Sequence, residues 1–149
     1  MKKEYLDLAF QYAEEAFHNN EVPIGAVIVK DDKIISFGFN QKESTNSVLE
    51  HAELIAIREA EKKIGNWRLD NCDLYVTLDP CPMCASAIKQ SRIKNVYSAL
   101  NNLDDNNEFI IKNIFEKDKV NPSVHFESNL DSERSKKILN SFFKKQRNT

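Results

Sequence analysis

Glycine is scarce in this chain, at three residues in 149, and proline is hardly commoner, at four. That scarcity excludes collagen-like, linker-like and low-complexity architectures, which are built from these residues. Neither sign of charge dominates: 21 Lys and Arg face 23 Asp and Glu, for a net charge of −2. Bulk charge therefore gives no support for nucleic-acid binding, and such a partner would have to meet a local basic patch. Long apolar runs are missing, so no segment is expected to span a membrane. The start, Met1-Lys2-Lys3-Glu4-Tyr5, turns amphipathic at once and lacks the apolar centre of a signal peptide, which points to a cytoplasmic protein. Cysteine is sparse and its count, three, is odd. In a reducing compartment two close cysteines favour metal or redox work over structural disulfides.

What is present suits a globular domain. Hydrophobic residues make up 41% and charged ones 30%, the balance of a soluble fold with a core. At 149 residues the chain fits a single domain, residues 1–149.

Three- and four-residue spacing of Tyr5, Leu6, Ala9, Tyr12, Ala13, Ala16 and Phe17 predicts an amphipathic helix over 2–19, with His18 solvated at its end. Val22 to Asn40 reads as a β-hairpin turning at Asp31-Asp32-Lys33, with Gly25 and Gly38 marking bulges or close backbone approach. A polar loop over 41–49 leads to a helix over 51–63, stopped by Gly65-Asn66. Cys72 to Leu78 reads as a buried strand, with Cys72 a small core residue. A helix over 83–90 and a strand over 94–100 follow. An acidic loop over 101–107 leads to a short helix over 108–116. Val124-His125-Phe126 is a strand or a loop. A final helix over 132–146 turns Ile138, Leu139, Phe142 and Phe143 inward. This order implies an α/β sandwich, with helices covering a mixed sheet.

Two short stretches carry chemistry: His51-Ala52-Glu53 and Pro80-Cys81-Pro82-Met83-Cys84. Cys81 and Cys84 stand one helical turn apart, so both sulfurs share a face. Near a helix N-terminus the dipole and free N–H groups favour thiolates. With His51 they make three ligands, and catalytic zinc sites keep about three protein ligands and one open position. Two residues on, Glu53 points elsewhere, better placed beside a metal than on it. A carboxylate there can take a proton from an attacking water, hand it to a ring nitrogen and then protonate a departing amine.

Each piece has a blander reading. A Cys-x-x-Cys pair alone also describes a redox couple. A structural zinc needs a fourth ligand, and Cys72, His18 and His125 lack motif spacing. His51 alone reads as a helix-cap histidine, and Glu53 alone as a solvated first-turn acid. Asn40 is a turn residue or a nucleoside contact. Trp67 suits a core or interface anchor better than a base-stacking platform. The combination outweighs the separate readings.

With these motifs the chain resembles the cytidine/deoxycytidylate deaminase superfamily, and within it the bacterial tRNA-specific adenosine deaminases. The resemblance is carried by Glu21-Val22-Pro23-Ile24-Gly25-Ala26-Val27, His51-Ala52-Glu53, Asn66-Trp67-Arg68-Leu69, Leu74-Tyr75-Val76-Thr77-Leu78, Pro80-Cys81-Pro82-Met83-Cys84-Ala85, Ala87-Ile88 and Ser91-Arg92-Ile93. A terminal Phe142-Phe143-Lys144-Lys145 through Arg147 also fits. It implies a three-layer α/β/α sandwich around a mixed five-stranded sheet, a homodimer, one zinc per subunit, and conversion of the wobble adenosine of a tRNA anticodon to inosine. It also implies His51, Cys81 and Cys84 as zinc ligands and Glu53 as the proton shuttle. Asn40 and the backbone at Ala52 would contact the flipped nucleoside, and Lys144, Lys145 and Arg147 would meet RNA phosphates.

The chain departs from the family pattern in three places. Ser47-Val48-Leu49-Glu50 stands where Asp-Pro-Thr usually precedes the His-Ala-Glu. Asp79 stands where the family has Glu, and no glycine occurs over 99–105. A deaminase of a free base or nucleoside, for instance guanine, is the alternative. It predicts a small closed pocket and no RNA affinity. A zinc-stabilised scaffold is a third reading, and it would have no use for Glu53.

Overall fold

Burial on both faces explains why the central strands read as nearly continuous apolar runs. In β1 (Gly25–Lys30), Val27 and Val29 join one core, while Ala26 and Ile28 join another. The same alternation splits Tyr75 from Leu74 and Val76 in β3 (Cys72–Val76), and Tyr97 from Val96 in β4 (Asn95–Ser98). The computed structural model describes residues 1–102 and 104–148, with the backbone but not the side chain of Asp105. Leu103, in the loop expected over 101–107, lies outside the described residues.

The five strands lie in the order β2-β1-β3-β4-β5, with β2 spanning Lys33–Phe39 and β5 His125–Glu127. β1 pairs antiparallel with both β2 and β3, whereas β3, β4 and β5 run parallel. The expected mixed five-stranded sheet is therefore present. Helix α1 (Lys3–His18) covers one face through Tyr5, Leu6, Ala9 and Phe10. Helices α3 (Ala52–Ile64), α4 (Pro82–Gln90) and α5 (Asp105–Phe115) cover the other. Helix α6 (Ser132–Arg147) meets α1, where the Phe17 and Phe142 rings sit 6.1 Å apart, and Ser135 donates to the Thr77 carbonyl at 2.6 Å.

The structure differs from the sequence reading at several elements. The segment over 41–49 contains a short helix, α2 (Lys42–Thr45). Helix α5 begins at residue 105 rather than 108, because the Asp104 side chain accepts from the Asn106 N–H at 3.0 Å and starts the helix there. Residues 125–127 form a strand. On α6, Leu139 and Phe142 are buried, but Phe143 is exposed. Both hairpin glycines mark close approach, while the bulge sits opposite Ile28 and Val29. A Cβ at Gly25 would lie 2.0 Å from the Ala9 carbonyl oxygen and 2.5 Å from the Ala13 nitrogen. Gly25→Ala is expected to cost about 3 kcal/mol, because α1 has to shift off the sheet. A denaturant midpoint that stays put would show that α1 gives way freely.

Candidate metal centre and active site

Two helix N-termini meet at one point. His51 is the residue before α3, with an extended backbone (φ −83°, ψ 149°), and Cys81 takes the same position before α4 (φ −73°, ψ 169°). Pro82 opens α4, where its missing N–H costs nothing. Gly38 allows β2 to run tight against α3, since a Cβ there would sit 2.3 Å from the Ala52 carbonyl oxygen.

His51 Nδ1 lies 3.4 Å from Cys84 Sγ and 3.8 Å from Cys81 Sγ. All three donor atoms fall within 4.8 Å of one another, and Cys84 is fully buried. A tetrahedral zinc with Zn–S of about 2.3 Å and Zn–N of about 2.05 Å sets N and S about 3.6 Å apart, so these side chains fit zinc. Among the described residues no other His, Cys, Asp or Glu joins the group, which leaves one coordination position open. Cys72 is buried at the start of β3, and His18 is exposed at the end of α1, both as expected.

The two thiols move each other's pKa in opposite directions. A hydrogen bond from Cys84 pulls Cys81 down to about 5, with help from the nearby His51 and the Met83 and Cys84 N–H groups. The same contact pushes Cys84 up, as does its burial beside Glu53. A divalent cation among three such donors would ionise both thiols.

Glu53 is only 4% exposed. Burial pushes its carboxyl up to about 7, and the Cys81 charge adds to the rise. It is not the solvated first-turn acid that a lone glutamate at this helix position suggests. Asn40, which follows β2, is buried, and its side-chain oxygen accepts the Ala52 N–H at 2.9 Å. That bond caps α3 from 12 residues away and leaves the Asn40 NH₂ group free of this contact.

Sequence reasoning left out the props behind Cys81. Asp79 is buried, and burial raises its pKa. One of its oxygens accepts from Ser128 at 2.5 Å. Asn107 reaches the Pro80 carbonyl at 3.5 Å. These partners lie 49 and 27 residues along the chain, and the motif itself held no sign of them. Trp67 proves 52% exposed rather than a core anchor, with the Arg68 and Arg92 guanidinium carbons each 5.3 Å from its ring centre.

A helix-covered mixed sheet that converges His51, Cys81, Cys84 and a buried Glu53 defines a hydrolytic deaminase of the cytidine deaminase-like fold. The model of MafB19-like deaminases matches residues 1–147. A tRNA-specific adenosine deaminase from Buchnera aphidicola is 43% identical over 96% of this chain and 94% of its own. The Aquifex aeolicus protein of the same description is 39% identical over 99% and 98%. A structure from work on A-to-I editing by tRNA:A34 deaminases superposes with a TM-score of 0.81 at 33% identity, covering 93% of this chain and all of that one. Guanine deaminase from Bacillus subtilis is 35% identical with a TM-score of 0.67, covering 100% and 96%. The chain belongs to the MafB19-like deaminase family, among relatives that are tRNA-specific adenosine deaminases.

Proposed function

We propose that this protein hydrolyses the wobble adenosine of tRNA to inosine and ammonia. The observation that carries the chemistry is the buried Glu53 carboxyl beside the His51, Cys81 and Cys84 donors. The substrate is supported by relatives 39–43% identical over nearly their whole length, and by the 0.81 TM-score.

In this reading His51, Cys81 and Cys84 would hold one zinc. A zinc there supplies a Lewis acid that brings the pKa of water to about 7. Glu53 takes the proton of the water that attacks C6 of the flipped adenine, delivers it to N1, and passes a proton to the departing amine. The C6–N bond breaks, ammonia leaves, and a carbonyl remains. The Asn40 NH₂ group contacts the nucleoside, and the Ala52 backbone, whose N–H is held by Asn40, borders the base.

RNA binding by a chain of net charge −2 requires local cations. Helix α6 carries six, Arg134, Lys136, Lys137, Lys144, Lys145 and Arg147, against one acid, Glu133. Exposed Lys144, Lys145 and Arg147 would contact phosphates of the anticodon arm. We place the protein in the cytoplasm, where tRNA is found. No helix among the described residues is long and apolar enough to cross a membrane. The family resemblance supports a homodimer, and half-exposed Trp67 is available to a second copy.

The guanine deaminase likeness keeps a free-base substrate as a second reading. Ammonia release separates the two. Purified zinc-loaded protein is offered an anticodon stem-loop with adenosine at the wobble position and, in parallel, free guanine, adenine, cytosine and cytidine. Turnover on the stem-loop is the expected result; turnover on a free base alone overturns the tRNA reading.

A further inference from the structure

We propose that Glu21 is a positioning residue that holds residues 41–50 as the substrate-facing rim of the site, and that Val48 and Leu49 on this rim pack against the nucleotide beside the target adenosine. The proposal rests on the tRNA reading above.

Glu21 directly follows the turn that ends α1 and is 1% exposed. A buried carboxylate needs strong partners. Its two oxygens accept the backbone N–H groups of Glu43 at 2.9 Å and Ser44 at 2.6 Å. Those groups belong to the first turn of α2, and the residue before α2, Gln41, makes no side-chain cap. An acid 22 residues away therefore supplies what the short helix cannot supply for itself.

The segment is clamped at further points. The Gln41 N–H bonds to the Glu50 carbonyl at 2.9 Å and closes the loop at its base. Glu50 grips Arg58 through two contacts of 2.8 and 3.1 Å. Both ends adjoin the reaction centre. Asn40 caps α3 at Ala52, and the Leu49 carbonyl receives the His51 N–H at 2.9 Å. Val48 lies three residues from His51, within about 11 Å by chain length alone.

A fixed loop beside the metal ligands thus carries two large apolar side chains, exposed by 60% at Val48 and 57% at Leu49. Apolar side chains suit the face of a base or ribose and not a phosphate. An anticodon loop offers such faces, because its bases unstack when recognised.

The test measures kcat and KM separately on the anticodon stem-loop, with zinc-loaded wild type, Glu21→Ala, Glu21→Gln and the double variant Val48→Ser with Leu49→Ser. Zinc content and amide exchange of residues 42–50 are read alongside. We expect KM to rise about tenfold in Glu21→Ala and in the double variant, with kcat within about twofold and zinc unchanged, the pattern of lost uniform binding. Glu21→Gln keeps one acceptor oxygen and should shift KM less. Exchange should quicken in the Glu21 variants and not in the double variant, whose changes are exposed. Unchanged KM in the double variant, or a loss confined to kcat, overturns the proposal, even if Glu21→Ala fails to fold. Wild-type activity on the stem-loop keeps the two claims apart. With it, unchanged KM sinks the rim alone; without it, the tRNA reading falls and takes the rim with it.

Discussion

Glu53→Gln is expected to keep the fold and the zinc while slowing deamination by about 10³–10⁴-fold, the scale of a lost general acid–base. Glutamine matches the volume and one acceptor of the acid, so α3 has no reason to move. It can neither take a proton from water nor deliver one to the purine. Rate and zinc content together decide the matter. Near-normal turnover with zinc bound would remove Glu53 from the chemistry.

The same variant carries a pH signature. In the proposed mechanism Glu53 acts as a carboxylate, so kcat/KM of the wild type should rise with pH through the titration of this group and then level. In metal-free protein, burial raises Glu53 from 4.5 to about 7. The folded state therefore binds a proton that the unfolded chain has released. Its favourable contribution is complete below about 4.5 and is lost as pH climbs through about 7. Glutamine stays neutral throughout. The stability of metal-free Glu53→Gln relative to wild type should therefore grow between pH 5 and pH 8. Parallel denaturant midpoints across that range would contradict the raised pKa.

How much of this was legible depended on how far apart the partners lie. Cys81 and Cys84 are one turn apart and His51 and Glu53 are two residues apart, so each half of the centre shows in the sequence. Each half also opens a helix in the sequence reading, and the structure adds that both helices cover the same face of the sheet. Position alone could not give the state of Glu53. A first-turn glutamate is usually solvated, and only the packing of α3 against β1 and β2 buries this one. The cap of α2 was out of reach for a related reason. Four residues with no capping side chain of their own read as loop, and the stabilising carboxylate comes from Glu21. The reverse holds at α5, where Asp104 is a local N-cap signal inside a stretch whose acidic, polar composition reads as loop. Gly25 and Gly38 were open to two readings, and only the helices lying across the sheet decide between them.

Loss of one thiolate should have the other large effect. Cys81→Ser is expected to purify without stoichiometric zinc and without activity. Serine suits this variant because the residue sits just before α4, where a hydroxyl caps as well as any side chain. Helix capping is thereby kept and the soft ligand is not. Two donors remain, His51 and Cys84, too few for a closed or catalytic zinc site. Zinc bound only to the folded state adds stability by mass action, about 4 kcal/mol at a thousandfold excess over Kd. A chelator should therefore lower the wild-type unfolding temperature by several degrees and leave that of Cys81→Ser where it was. Wild type with chelator and the variant without it should then unfold at about the same temperature, because both lack the bound cation. Full zinc in Cys81→Ser would remove Cys81 from the ligand set. A chelator shift of equal size in both proteins would place the stabilising metal elsewhere.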